Sequence, residues 1–457
     1  MSINIKGQYS ALRTRLQKSD FLKSVLTLSA GVVVSQAVAL LTTPIISRIY
    51  GPDILGDFSI ITSSATIFGV VVCLGLIPAI MVPRDNDEAK GICRLLAKGI
   101  LLLSFLLFVL LVLLSGHTRL FDVSINYQAA CAALCTYLVF NNLSSVCYSY
   151  VNRQKLYKVL FWNPSIGTIS NAVICISLGL LGCGLWGYLV GTITSSLFLI
   201  IHMIRHANPF AGKISMDYGS IKLLKKHKEF TLILLPSSLI ATLARQVPVQ
   251  MLSRFWGNVV LGSYSMCLVF LDLPSKFLAD PVNRVFYKEA MDRYHRGENI
   301  GDFSFRLIKA NIKLAIIPIF ILVIFGEPIF SFVLGVKWAM AGSFASLLGM
   351  YKIMSFCNSC LNGKYVVINR KSTILYINIF MFVSYTLVFY ICHLLQYSPF
   401  QTIFAFSLVG TFMTLFDNFL FMIMTKVSIL KYLGFILMYI FTPIVVATFF
   451  RVLLFGF

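Results

Sequence analysis

The sequence predicts an all-α polytopic membrane protein. Two pseudo-symmetric six-helix lobes would enclose a central cavity, with about 12–14 transmembrane helices in all. Three observations carry this expectation. Apolar runs of roughly 20 residues recur from end to end, and each can cross a hydrocarbon core about 30 Å thick. The chain is 58% hydrophobic and only 12% charged, with a mean hydropathy of +0.85, which no soluble domain could bury. Secondly, the positive charge is steeply asymmetric between alternate connecting segments. Thirdly, a motif repeats: SRIYGPDILGDFS at 47–59 becomes SRFWGNVVLGSYS at 253–265. Ser47-Arg48, Gly51, Gly56 and Ser59 each find their counterpart 206 positions on, at Ser253-Arg254, Gly257, Gly262 and Ser265. Barrel strands would need short alternating segments, and the sequence has none.

In chain order, residues 1–23 are polar and basic, with Lys6, Arg13, Arg15, Lys18 and Lys23. Tyr9, Leu12 and Leu16 fall at helical spacing, so an amphipathic helix on the membrane surface is expected there. No cleavable signal peptide is expected, because the first apolar run is too long for one. Spans are expected near 24–47, 57–82, 92–115, 125–150, 158–182 and 184–204. A basic linker follows with Lys213, Lys222, Lys225, Lys226 and Lys228. The second half holds spans near 230–253, 260–284, 306–334, 340–364, 373–396, 400–424 and 432–456. The domains are then a six-helix lobe over 1–205, a linker over 206–229, and a second lobe over 230–457 with one extra terminal helix.

Charge placement orients these spans. With a cytoplasmic N-terminus, 29 of the 38 Lys and Arg fall in cytoplasmic segments. Arg48, Arg119, Arg254 and Lys337 fall outside. This is the positive-inside pattern, and it accounts for the net charge of +21 as topology rather than as nucleic-acid binding. Six spans separate the two copies of the motif, so both copies leave the membrane on the same side. The halves should be related by a two-fold axis along the membrane normal, the architecture of transporters that alternate access.

Charge at membrane depth costs about 2.5–3.5 kcal/mol per residue on insertion scales, so such residues are functional candidates. Arg245, Asp272, Lys276, Asp280, Glu327, Lys352 and Asp417 are all in the second half. The first half offers neutral Gln36, Asn141, Asn142 and Asn171. Arg245 lacks an acidic residue three or four positions away and lies between Pro236 and Pro248, which loosen the helix. A planar guanidinium so placed suits a bidentate phosphate contact. Its structural alternative is a salt bridge with Asp272. Asp272 and Lys276, at i and i+4, could also neutralise each other. Arg48 and Arg254 follow spans on the outer side, where they either touch substrate or snorkel to headgroups. Gly51 and Gly257 would permit the turn. Cys357-Asn358-Ser359-Cys360 has CxxC spacing inside a span without a second pair, so it reads as packing rather than metal or redox chemistry. The chain has no P-loop, HExxH or GxSxG motif. No metal or cofactor and no catalytic residue is expected.

A basic N-terminal segment leading into a span that ends in Arg48-Ile49-Tyr50-Gly51-Pro52, followed by Gly56-Asp57-Phe58, resembles the bacterial Wzx-type oligosaccharide flippases. These belong to the multidrug/oligosaccharidyl-lipid/polysaccharide exporter superfamily. The resemblance covers the whole chain in span layout and is sharpest over residues 20–90. It implies a V of two lobes in the bacterial inner membrane. It also implies a substrate made of a sugar chain on undecaprenyl diphosphate, turned from the cytoplasmic to the outer leaflet. Related flippases hold the diphosphate with cavity cations, and Arg245, Lys276 and Lys352 are the matching residue types. Asp272, Asp280, Glu327 and Asp417 are the candidates for a coupling proton or sodium ion. Other polysaccharide-assembly proteins are the implied partners. A drug or cation antiporter of the same superfamily would favour cavity carboxylates over cations. A membrane O-antigen polymerase or glycosyltransferase would need a large external loop, and the external loops here are short. A structural scaffold would give no reason for buried charge.

A reporter fused within 206–228 is expected to read cytoplasmic and one after Gly335 external. Opposite readings at both sites would overturn the charge map.

Overall fold

The computed structural model describes residues 20–115, 121–211 and 219–455. The proposed surface helix lies mostly in 1–19, outside the described residues. Among the described residues the chain is helical, with no strand. The first half consists of α1 (Asp20–Ile49), α2 (Pro52–Val72), α3 (Asn86–Leu114), α4 (Tyr127–Arg153), α5 (Tyr157–Leu180) and α6 (Leu185–His206). A short basic helix, α7 (Gly219–Lys226), sits in the linker. The second half holds α8 (Leu235–Trp256), α9 (Asn258–Leu271), α10 (Asp280–His295), α11 (Ile300–Leu334), α12 (Ala339–Cys360), α13 (Lys364–Val367), α14 (Lys371–Leu394) and α15 (Pro399–Met424). α16 (Ile429–Ile436) and α17 (Thr442–Phe455) close the chain. Among the described residues, eleven segments are long and apolar enough to cross a membrane. α9, which is shorter, and α12, which carries Lys352, occupy the other two expected positions.

Local chemistry sets the helix ends. Asp85 caps α3 by accepting from the Asp87 N–H, with Asp87 and Glu88 in the first turn, where acidic groups favour the helix dipole. Ser398 and Gln401 form a capping box at α15, with Pro399 in the first turn. Gly257 and Gly335 end α8 and α11 with φ of 86° and 106°, a backbone that other residues adopt only with strain. Gly51 does not match Gly257 in this respect. Its φ is −88°, so the first turn of the repeat does not depend on glycine conformation. The span expected at 57–82 starts earlier and stops at Val72. A 3₁₀ turn at Ile77–Met81 follows.

The same packing pattern appears in both halves. In the first, α1 packs on α5, α5 on α6, α3 on α4 and α4 on α6. In the second, α8 packs on α14, α14 on α15, α11 on α12 and α12 on α15. α10 is an insertion between the counterparts of α2 and α3. It shifts the register of the repeat beyond residue 280. Exposed Leu101, Leu102, Phe105, Leu106 and Leu113 give α3 an apolar outer surface suited to lipid.

α2 and α9 cross at the centre of the molecule. Gly56 lies against the Asn258 backbone, and Gly262 against the Pro52 carbonyl. Adding or subtracting 206 exchanges these two contacts, so a two-fold passes between the helices. Thr231, before α8, bonds the Leu74 carbonyl after α2 at 3.1 Å, so α2 runs antiparallel to α8 and therefore parallel to α9. A two-fold between parallel helices runs along them, across the membrane. A seal forms on the face opposite the linker. The Asn258 amide donates to Asp57 Oδ1 and to the Asp122 carbonyl, both at 2.6 Å. The Ser124 N–H donates to Asp57 Oδ2 at 2.9 Å. Nearby, the buried Trp338 indole donates to the Ser47 carbonyl at 2.9 Å. One apolar cluster, including Ile61, Leu134, Leu261 and Phe344, runs unbroken across both lobes.

A Cβ on Gly56 or Gly262 would overlap a backbone carbonyl across this crossing. Gly56→Val and Gly262→Val are each expected to cost about 1–3 kcal/mol, read as a lower thermal midpoint of the purified protein in detergent. Gly99→Ala, at a helical glycine with open space around it, should leave the midpoint unchanged or raise it.

Candidate functional site

A cavity of about 780 Å³ opens in the second lobe, lined by α8, α9, α12, α14, α15 and the π-helical turn Ser275–Ala279. Arg245, Lys276, Lys352 and Asp272 all line it. They arrive from three directions: Arg245 from α8, Lys352 from α12, Asp272 and Lys276 from the end of α9 and the turn beyond. Pro248 lacks an N–H, so it leaves the Ala244 carbonyl without its usual helical donor. Ala244, Arg245 and Pro248 all face the cavity.

The ion pairing differs from both sequence expectations. Asp272 Oδ1 accepts from Lys352 Nζ at 2.8 Å, a contact across 80 residues. It pairs neither with Lys276 nor with Arg245 among the described residues. Lys276 lies one α-helical turn beyond Asp272, its N–H donating to the Asp272 carbonyl at 2.9 Å, yet the Asp272 carboxylate meets Lys352 instead. Arg245 Nη2 donates to Thr242 Oγ1 at 3.3 Å, and no described carboxylate forms an ion pair with it. Among the described residues, three cations and one carboxylate give the lining a net charge of +2.

Neutral polar residues that the sequence reading passed over complete the wall. Lys352, Ser355, Ser359 and Asn362 share one face of α12 and its end, and Asn378 faces them from α14. Their spacing of three, seven and ten was the signal. Ser359 and Asn358, inside the CxxC, line the cavity, whereas Cys357 and Cys360 are fully buried in the packing. Tyr351 and Tyr385 add aromatic faces, each packed edge-on against Phe406 at 5.5 and 5.1 Å. Gly410 makes room for the Tyr351 ring.

The remaining sequence candidates lie elsewhere. Arg48 is exposed at the end of α1, and its carbonyl accepts from Lys337 at 3.0 Å. Arg254 borders a separate pocket of about 440 Å³ beside Asn258 and Asp122. Neither reaches the cavity, because both helices end at the sealed face. Glu327 faces a groove of about 620 Å³ with Ser343 and Arg451. It accepts from Ser343 at 2.9 Å and lies 3.9 Å from Arg451. Asp417 is buried. Lys364 Nζ donates to it at 2.9 Å and to Asn358 and Asn418 at 2.8 Å, while the Tyr365 hydroxyl donates at 2.7 Å. The side chain of Asp280 is outside what the structure describes.

A helical bundle that carries a charged cavity at membrane depth defines a class, the multi-pass membrane transporter. The chain belongs to the polysaccharide biosynthesis protein family, whose profile matches residues 24–343. It is 23% identical over 323 residues to the succinoglycan biosynthesis transport protein ExoT of Rhizobium meliloti. That match covers 70% of this chain and 63% of the relative, so less than two thirds of ExoT is spanned. Among solved structures, the chain resembles the lipid II flippase MurJ in an inward closed conformation. The TM-score is 0.68 at 16% identity, over 94% of this chain and 99% of that one. A transporter of the MOP superfamily from Pyrococcus furiosus aligns with a TM-score of 0.55 at 15% identity, over 89% and 97%. The fold is therefore that of this transporter superfamily.

The Lys364–Asp417 pair, with side chains 5% and 6% exposed, makes a structural prediction. Asp417→Ala should strand the ammonium and cost about 3–5 kcal/mol, seen as loss of folded protein from the membrane. The double variant Lys364→Met/Asp417→Leu removes both charges and should restore the protein level. Restored protein without transport would instead assign the pair to coupling.

Proposed function

We propose that this protein is a flippase for an oligosaccharide carried on undecaprenyl diphosphate. It moves the substrate from the cytoplasmic to the outer leaflet of a bacterial inner membrane by alternating access. The linker face is then cytoplasmic and the sealed face is the outer one. One observation carries the reading: Arg245, Lys276 and Lys352 converge from separate segments on one cavity at membrane depth. Burying three cations there is costly unless an anion is bound. A diphosphate cannot cross hydrocarbon unaided, and a cationic cavity supplies the path. The Ser355–Asn362 face and the tyrosines offer hydrogen bonds and apolar ring faces of the kind sugars accept. The lipid tail stays in the bilayer through a lateral gap between spans. Rocking of the lobes about the α2–α9 crossing exposes the cavity to each side in turn.

The relatives support this reading: one is a transport protein of succinoglycan biosynthesis, another a lipid II flippase. A cationic drug as substrate is disfavoured by the cavity's excess of positive charge. Of the carboxylates proposed for ion coupling whose side chains the structure describes, Asp272 is the one that lines the cavity. Asp417 and Glu327 have cationic partners elsewhere.

Loss of the protein should leave a lipid-linked oligosaccharide on the inner leaflet. Arg245→Ala is expected to reach the membrane folded and in normal amount, and to translocate little or none of that lipid. Arg245→Lys keeps the charge but loses the planar fork, so its rate should fall between the two. Normal export by a folded Arg245→Ala protein would remove Arg245 from the site.

A further inference from the structure

Lys352 is the one cavity cation whose charge is already matched. Its amine donates to Asp272 at 2.8 Å, with side chains 10% and 35% exposed respectively. Arg245 makes only a 3.3 Å contact with the Thr242 hydroxyl, and Lys276 has no ion pair among the described residues. An entering anion can therefore engage Arg245 and Lys276 directly, but it reaches Lys352 only by displacing Asp272. We infer that Asp272 is a tethered counter-anion, which competes with the substrate's phosphates for Lys352 and thereby sets both affinity and release. This rests on the flippase reading above.

The charge arithmetic supports the role. With Asp272 in place the described residues of the lining carry +2, which matches a diphosphate esterified at both ends, one negative charge on each phosphate. A single phosphodiester would leave one positive charge uncompensated. Without Asp272, three bare cations in a poorly hydrated cavity would hold the dianion firmly. A transport site must bind strongly enough to load and weakly enough to unload. Asp272 supplies the second half of that condition: as the phosphates leave, it takes their place on Lys352. Its position favours such movement. It is the C-cap residue of α9, and its side chain, 35% exposed, borders the open cavity.

The experiment uses the full-length protein in nanodiscs. The probe is N-acetylglucosamine on farnesyl diphosphate, and the comparator is the same sugar on farnesyl monophosphate. Wild type should bind the diphosphate in preference to the monophosphate. Asp272→Asn, which keeps shape and hydrogen bonding, should bind the diphosphate about tenfold more tightly, as expected if Asp272 leaves Lys352 free about one-tenth of the time. Its transport in liposomes should slow as release becomes limiting. In a Lys352→Met background, Asp272→Asn should change binding little, because the competed cation is gone. This double variant carries no unpaired charge at the pair, so it also guards against misfolding. Equal or weaker diphosphate binding by a folded Asp272→Asn protein would overturn the counter-anion role and leave the flippase reading intact. Failure of wild type to bind the diphosphate would overturn both.

Discussion

The close crossing of α2 and α9 is the contact on which the rest of the architecture depends. Two glycines, Gly56 and Gly262, let the backbones meet where side chains would hold them apart. In lipid no hydrophobic force drives helices together, so close packing by small residues takes its place. Because the contact is self-complementary, it also places the two-fold between the lobes. The Asp57–Asn258–Asp122 bonds form only because this crossing brings α9's first residue to α2. The seal on that face follows from the crossing, and the cavity lies beyond it in the second lobe.

Charge is distributed against this nearly symmetric frame in a strongly asymmetric way. Every described charged residue lining the cavity comes from the second half. The first half contributes the Asp57 carboxylate at the seal and neutral hydroxyls to the interface. Ser63 bonds Gln246 at 2.8 Å, and the Gln250 amide donates to Ser63 and Ser64. Duplication supplied two lobes of similar packing, and the charged chemistry sits in one of them.

Two kinds of buried ion pair occur in that lobe, and solvent access separates them. Lys364 and Asp417 are both almost fully enclosed, with each donor and acceptor met by Asn358, Asn418 or Tyr365. Nothing can reach that pair to exchange partners, so it braces α13 against α15. Lys352 and Asp272 have the same 2.8–2.9 Å geometry, yet they border open space. Identical chemistry is structural in one place and available to a ligand in the other.

The sequence by itself determined the span layout, the repeat and the identity of the membrane-depth charges. Each of these is encoded locally: hydrocarbon thickness dictates run length, and the cost of buried charge makes every exception visible. Gly257 was legible for the same reason, since its backbone conformation excludes other residues. The partners of those charges were decided only by tertiary structure. Local spacing paired Asp272 with Lys276, but packing brought Lys352 from 80 residues away to the carboxylate. Arg48 and Arg254 carried the repeat and so drew attention, yet their helices end at the sealed face, far from the cavity wall. Ser355, Ser359 and Asn362 carried no charge to mark them. Only the docking of α12 against α9 turned their shared helical face toward the cavity, because which face of a buried helix meets open space is set by its neighbours.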